Sequence, residues 1–115
     1  MRALLLAGGI LVAAPAAACL PEARVALAAP DPVAGLDASL RGRVCEMDGL
    51  VLLLEGRGWD WTGEEVAPAT LPGGVVRDAA HHFCRLRRTL LGPRCGRRMS
   101  MSLRDGRIVG VGPSL

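Results

Sequence analysis

The 115-residue chain contains no lysine, asparagine, glutamine or tyrosine, and it has only one phenylalanine and two tryptophans. Alanine, glycine, arginine, leucine and valine abound instead, which is the usage expected of a GC-rich genome and is a mutational bias before it is a function. The absence of lysine excludes a lysine-dependent phosphate loop. Gly73-Gly74 is also not placed between a predicted strand and a predicted helix, as such a loop requires. All 14 basic residues are arginine, so a cluster of arginines is weaker evidence for bidentate anion recognition here than elsewhere.

The cysteines, Cys19, Cys45, Cys84 and Cys95, lack any C-x-x-C spacing. This absence argues against a zinc ribbon and against a thioredoxin-type redox pair. In an exported chain the four cysteines predict disulfides, with three possible connectivities that the sequence leaves open. A bridge from Cys45 to Cys84, or from Cys84 to Cys95, would add about 3–4 kcal/mol of stability.

The first 18 residues have the pattern of a secretory signal peptide. Arg2 gives the positive start, residues 3–14 are apolar, and residues 15–18 form a small-residue cleavage site. Cleavage after Ala18 would make Cys19 the first mature residue, which is also what a lipid anchor requires. Ala16 stands where a lipobox usually has leucine, so the favoured product is a freely soluble periplasmic or secreted protein.

Residues 19–40 are rich in alanine and proline and predict an irregular tether, with the folded domain at 41–115. Two short apolar runs around Asp48-Gly49 predict a hairpin, because that dipeptide suits a type I′ turn. A third strand at 59–62 would complete a three-stranded meander, with Trp59 and Trp61 on the face of Val51 and Leu53.

The C-terminal residues predict a second hairpin, since 99–103 alternates strictly and Asp105-Gly106 supplies the turn. A two-residue turn places Leu103 opposite Ile108, and it sets Met101 and Met99 opposite Gly110 and Gly112. Residues 78–91 favour a helix capped by Asp78 over a strand, because the apolar residues recur at helical spacing. The expected fold class is α+β, small, mainly antiparallel and disulfide-stapled, in a single domain.

Charge is segregated along the chain. Residues 31–65 carry eight acidic residues against three arginines, a net charge of −5, whereas residues 66–115 carry nine arginines against two aspartates, a net charge of +7. The densest cluster holds eight arginines in 23 residues: Arg85, Arg87, Arg88, Arg94, Arg97, Arg98, Arg104 and Arg107. These groups either pair with the acidic half of the same fold or bind an anionic partner such as lipid A or an anionic lipid surface. Nucleic acid is disfavoured, because only Phe83 lies nearby for base stacking.

Two constellations of side chains have the residue types of a chemical site. His81, His82, Met99 and Met101 offer the imidazole and thioether ligands that suit copper(I). Cys84 follows His82 by two residues, as a thiol nucleophile beside its base could. In the oxidising compartment of an exported protein, however, the thiol would be oxidised. The carboxylates of Asp60, Glu64 and Glu65 lie in a turn-rich segment and are expected to solvate it.

The sequence therefore predicts a non-enzymatic, cofactor-free binding or accessory domain of the cell envelope or exterior. Its expected binding residues are Arg85, Arg87, Arg88, Arg97 and Arg98, together with Trp59 and Trp61. Its partner is an anionic envelope component or a protein, and a membrane is expected as a partner only if Cys19 is lipidated. The alternative is a soft-metal protein that uses the two histidines and the two methionines.

Overall fold

The computed structural model describes residues 19–114, so the predicted signal peptide at 1–18 lies outside the described residues. Three helices precede the strands: α1 (Cys19–Leu27), α2 (Pro32–Leu40) and α3 (Met47–Gly56). Six strands follow: β1 (Trp59–Glu65), β2 (Ala69–Thr70), β3 (Val76–Arg77), β4 (Ala79–Thr89), β5 (Gly92–Arg104) and β6 (Arg107–Pro113). The predicted class, a small α+β fold with a mainly antiparallel sheet and disulfides, is confirmed.

The prediction of an irregular tether at 19–40 is wrong, because this segment forms two helices that pack into the core. Pro32 occupies the first turn of α2, where the missing N–H costs nothing, and the Asp31 side chain caps the helix by accepting a hydrogen bond from the Ala34 N–H at 3.3 Å. A Cβ on Gly35 would lie 3.2 Å from the Ala26 carbonyl oxygen, so this glycine lets α2 approach α1 closely.

The predicted hairpin around Asp48-Gly49, and with it the three-stranded meander, is also wrong. Residues 47–56 form α3, whose N-cap Glu46 accepts a hydrogen bond from the Gly49 N–H at 2.6 Å. Leu50 and Leu54 lie four residues apart and are both completely buried, which is the spacing of one helix face. The cap and the buried helical stripe together outweigh the turn preference of the Asp-Gly pair.

The main sheet is antiparallel with the strand order β1-β4-β5-β6, and β2 and β3 form a separate two-stranded ribbon. The helix favoured at 78–91 is wrong, because residues 79–89 form β4, which pairs with β1 on one side and β5 on the other. The hydrogen-bond partners of β4 lie in other segments of the chain, β1 and β5. Pairing with these two strands outweighs the helical periodicity within residues 79–89.

The C-terminal hairpin is confirmed, with Asp105 and Gly106 both at positive φ in the turn and Leu103 opposite Ile108. A bulge between Ser102 and Leu103 shifts the rest of the pairing by one residue, so the predicted methionine–glycine pairs are wrong. Met101 faces Val111, and Met99 faces Pro113. The serines instead lie opposite glycines: Ser102 opposite Gly110, and Ser100 opposite Gly112.

The helices cover one face of the sheet, and the buried residues of both layers form one core. Its largest completely buried side chains are Trp59, Phe83, Met99, Met101, Ile108, Leu36, Leu40, Leu50 and Leu54. The Cys19–Cys45 disulfide ties the start of α1 to the segment before α3, and the Cys84–Cys95 disulfide joins β4 to β5. All four cysteines are therefore paired, as a disulfide-stapled domain requires.

Candidate functional site

Strands β4 and β5 extend beyond the rest of the sheet as a two-stranded hairpin, residues 85–98, here termed the distal hairpin. Pairing with β1 ends at Arg85, and pairing with β6 begins at Met99, so no third strand flanks residues 86–98. The turn at 90–91 is held by the Thr89 hydroxyl, which donates to the Gly92 carbonyl at 2.7 Å and accepts from the Leu91 N–H at 3.2 Å. The two strands are thus fixed to each other although both outer edges are open.

A bulge and a disulfide brace the base of the distal hairpin. Arg85 pairs with Arg97 while Leu86 pairs with Cys95, which leaves Gly96 as the extra residue. A Cβ on Gly96 would lie 3.2 Å from the Arg87 Cβ, so only glycine fits without displacing a neighbour. The Cys84–Cys95 bond closes the loop across 11 residues.

The distal hairpin carries six arginines and no acidic residue: Arg85, Arg87, Arg88, Arg94, Arg97 and Arg98. The Arg85 guanidinium lies 5.6 Å from the ring centre of Trp59, and Arg97 pairs with Asp31 at 3.2 Å. Among residues 19–114, the other four arginines make no ion pair within 4.0 Å. Most of this positive charge is therefore left for solvent or a partner.

Three leucines of the distal hairpin are exposed beside these arginines. Leu90 and Leu91 at the tip expose 105% and 83% of their reference surface, and Leu86 exposes 53%. Adjacent exposed leucines at the end of a projecting element form an apolar tip surrounded by positive charge, a combination that fits interfaces better than bulk water.

The internal pairing expected between the acidic and basic halves is sparse. Two arginines of the second half pair with acids of the first in the described structure: Arg77 with Glu65 at 3.0 Å, and Arg97 with Asp31 at 3.2 Å. Neither pair involves the four unpaired arginines of the distal hairpin. Intramolecular neutralisation consequently does not account for the cluster.

The two predicted aromatic binding residues have different environments. Trp59 is 1% exposed and belongs to the core, so it is not part of an exposed patch. Trp61 is 43% exposed and donates from Nε1 to His81 Nδ1 at 3.1 Å. Val51 and Leu53 lie on α3 and not on a neighbouring strand, so the predicted aromatic patch is not formed as expected.

The four residues of the copper alternative do not converge. His81 pairs with Met101 across the sheet, whereas His82 pairs with Ser100 and so points to the opposite face. Met99 and Met101 are completely buried in the core. Within the described range, no group of three or more histidine, cysteine, aspartate or glutamate side chains is placed to hold a metal ion.

A cavity of about 550 Å³ lies against the face of β5 and β6 that carries Ser100 and Ser102, opposite the face that carries the buried methionines. Its apolar walls come from the ribbon and from β6: Leu71, Pro72, Val75, Val109, Val111 and Pro113. Gly110 and Gly112 lie in β6 beside Ser102 and Ser100, and a Cβ on Gly112 would meet no atom within 4 Å. Because serines of β5 lie opposite glycines of β6, the side chains at these positions are small and leave the cavity open.

A chain of hydrogen bonds crosses one wall of the cavity. The Ser100 Oγ is 2.7 Å from His82 Nδ1, and His82 Nε2 is 3.0 Å from Glu65 Oε1, which also accepts from Arg77 Nη2 at 3.0 Å. The carboxylate can only accept, so neutral His82 carries its proton on Nε2 and its Nδ1 accepts the Ser100 hydroxyl proton. Ser100 Oγ also lies 2.7 Å from the Ser114 Oγ.

Glu65 is kept ionised by the same contacts. The hydrogen bond from His82, and then the charge of Arg77, hold the pKa of its carboxyl below the ordinary value. An ionised Glu65 in turn fixes the orientation of the His82 ring.

No pattern in the sequence joins these residues. The pattern predicts that Glu65 solvates a turn and that His82 is a metal ligand or a base beside Cys84, and it predicts no role for Arg77 or Ser100. The alternation of Met and Ser along 99–102 does place both serines on one face. The position of His82 opposite Ser100, however, depends on pairing between β4 and β5 that the helix assignment concealed.

The fold and these two surfaces define a small disulfide-stapled α+β domain with a cationic, leucine-tipped hairpin. Comparison of the chain with protein-family models, with curated proteins and with solved structures finds no match. None of the helices in residues 19–114 has the length and apolar character needed to span a membrane.

Proposed function

We propose that this protein is an exported binding domain whose distal hairpin docks onto an anionic lipid surface. The observation that carries the proposal is the combination, on one projecting element, of four unpaired arginines and an exposed leucine tip. Arginine charge attracts anionic headgroups, at about 1 kcal/mol per residue near the surface. Leucine side chains gain free energy by entering the boundary between headgroups and acyl chains.

The apolar tip favours a bilayer over a soluble polyanion. A phosphate-rich polymer in water would use the arginines and leave Leu90 and Leu91 exposed. At a bilayer the same leucines are removed from water while the long arginine side chains keep their guanidinium groups at the headgroup level. Of these two partners, the lipid surface is the one that uses both features.

The Cys84–Cys95 disulfide supports binding by holding the hairpin in one conformation. A hairpin of two strands without further pairing is marginal in water. The covalent brace reduces the conformational entropy lost on docking, which strengthens association.

Two features support export to an oxidising compartment. Four cysteines in two disulfides are typical of periplasmic and secreted proteins, and residues 1–18 have the pattern of a secretory leader. The Cys19 sulfur bonds to Cys45, so it is not available for a thioether-linked lipid in this disulfide state. Contact with a bilayer would then come from the protein surface itself.

The test is co-sedimentation of the mature, disulfide-intact protein with vesicles of phosphatidylglycerol and phosphatidylcholine, compared with vesicles of phosphatidylcholine alone. The variant R87Q/R88Q/R94Q removes three positive charges from the distal hairpin. The matched control R24Q/R57Q/R104Q removes three exposed arginines elsewhere, so both proteins have the same net charge.

We expect the native protein and the control to bind the anionic vesicles and the hairpin variant to bind roughly 100-fold more weakly, from about 1 kcal/mol per arginine. Replacing the tip leucines in L90S/L91S should also weaken binding, while V25S/L52S, which alters two similarly exposed residues on the helices, should not. Equal loss in the hairpin variant and its control would contradict the proposal. So would full binding by L90S/L91S, which would indicate a polyanion site instead.

A further inference from the structure

We infer that Ser100 is an activated nucleophile and that the cavity beside it is a catalytic site for small carboxylic esters. This inference is independent of the distal hairpin, since no residue of 85–98 lines the cavity. It also runs against the expectation from sequence that the chain is not an enzyme. The carrying observation is the continuous hydrogen-bond chain from Ser100 through His82 to Glu65 along the cavity wall.

The geometry matches the requirements of nucleophilic catalysis. A serine hydroxyl is weak by itself and needs a base within about 2.6–3.2 Å, with the base oriented by a third group. His82 Nδ1 lies 2.7 Å from the Ser100 Oγ, and Glu65 lies 3.0 Å from the other ring nitrogen. Glu65 and Arg77 are positioning residues in this arrangement, because they act on the histidine and not on a substrate.

The cavity supplies space for a substrate. A volume of about 550 Å³ with mostly aliphatic walls accommodates an ester with a short apolar acyl group. Arg77 also lines the cavity, but its described contact is with Glu65, so it acts through that carboxylate and not on the substrate.

The reaction has two balanced halves. Ser100 Oγ attacks the ester carbonyl carbon while its proton passes to His82 Nδ1. The tetrahedral intermediate then expels the alcohol, which takes that proton, and an acyl-Ser100 ester remains. Water repeats the sequence: its proton passes to His82 Nδ1, its oxygen attacks the acyl carbon, and Ser100 leaves with the proton as the carboxylic acid is released.

Ser102 provides a matched control for Ser100. Both serines are on β5, both lie opposite a glycine of β6, both line the cavity and both are less than a tenth exposed. Among the hydrogen bonds of the described residues, Ser100 contacts His82 and Ser102 does not. A difference between S100A and S102A therefore reports the contacts of the Ser100 hydroxyl with His82 and Ser114, and not only the loss of a cavity hydroxyl.

The test is reaction of the disulfide-intact protein with an alkyl fluorophosphonate, followed by intact mass measurement and peptide mapping, together with hydrolysis of p-nitrophenyl butyrate. We expect a single adduct on Ser100, with loss of fluoride, and ester hydrolysis that S100A abolishes; S102A, which alters the cavity wall but not the contact with His82, should still form the adduct. H82Q should slow both reactions at least 100-fold, the usual contribution of a general base. E65Q should lower kcat more than it changes KM, because Glu65 acts by orienting the base.

Circular dichroism and the intact mass of each variant establish that the fold and both disulfides are retained. Absence of an adduct on Ser100 in the folded native protein overturns the inference. An adduct that forms on Ser100 at the same rate in H82Q overturns it as well, because the serine would then react without activation. None of these measurements uses lipid. A negative result therefore contradicts the catalytic site only, and the binding of the distal hairpin to lipid is decided by the vesicle experiment.

Discussion

Glu65 connects the structure's electrostatics to its stability. The hydrogen bond from His82, followed by the charge of Arg77, lowers the pKa of this carboxyl from its ordinary value of about 4.5. A carboxyl with a depressed folded-state pKa contributes stability that is fully present above its unfolded pKa and is lost as the pH falls through the folded value.

We therefore expect the native protein to lose stability in acid faster than E65Q does. The difference in unfolding free energy between the two should be constant near neutral pH and shrink as the pH drops below about 4.5. Urea unfolding at a series of pH values, with both disulfides intact, measures it. A difference that stays constant down to the acid end would show that Glu65 does not have the contacts described.

The distal hairpin is the element whose conformation depends most on a covalent bond. Its residues have no flanking strand, and beyond the Cys84–Cys95 disulfide only the backbone ladder and the Thr89 contacts hold its two strands together. The other disulfide, Cys19–Cys45, joins elements that are already buried in the core.

Removal of either disulfide should destabilise the domain by an amount set mainly by the size of the closed loop. In the loop-entropy model C84S/C95S costs about 3 kcal/mol and C19S/C45S about 3.5 kcal/mol. The two variants should nevertheless differ in trypsin sensitivity under native conditions, since only C84S/C95S frees the arginine-rich strands. Denaturant unfolding and timed proteolysis check this. Equal proteolysis of the hairpin in both variants would contradict the bracing role.

Elements with local signals were predictable from the sequence, and elements that depend on distant partners were not. The Asp105-Gly106 turn needs two residues at positive φ. An Asp-Gly dipeptide favours that conformation, so the dipeptide alone predicts the turn. Asp48-Gly49 carries the same signal, but Glu46 caps a helix there and buried Leu50 and Leu54 stabilise it. The proline content of residues 19–40 predicts a tether, although Pro32 lies in the first turn of α2, where proline is favoured.

The candidate sites follow the same division. The arginine cluster was visible in the sequence because it is contiguous, and its use as a binding surface stays a prediction. The hydrogen-bond chain from Glu65 to Ser100 was not visible, since it joins β1, β4 and β5, whose register includes a bulge in β1 and another at Gly96 in β5. A shift of one residue in either bulge reverses which face a side chain occupies, and no local pattern fixes it.

At the scale of the whole molecule, the densest arginine cluster and the two most exposed leucines lie on the same projecting element. The buried core lies between the helices and the part of the sheet where β1 and β6 flank β4 and β5. The acidic residues lie outside β4 and β5. A domain that binds an anionic bilayer through one hairpin would keep its body clear of the like-charged headgroups. This arrangement makes the distal hairpin the central element of the proposed function.

The most direct test is hydrogen–deuterium exchange of the mature, oxidised protein with and without anionic vesicles, because it locates the contact without any substitution. Amides of residues 86–95 have no third strand and lie at the exposed end of the hairpin, so they should exchange quickly in solution and slow down when vesicles are present. The helices and strands β1 and β6 should be unchanged. Protection confined to the helices or to β1, or no protection anywhere at vesicle concentrations that sediment the protein, would contradict docking through the distal hairpin.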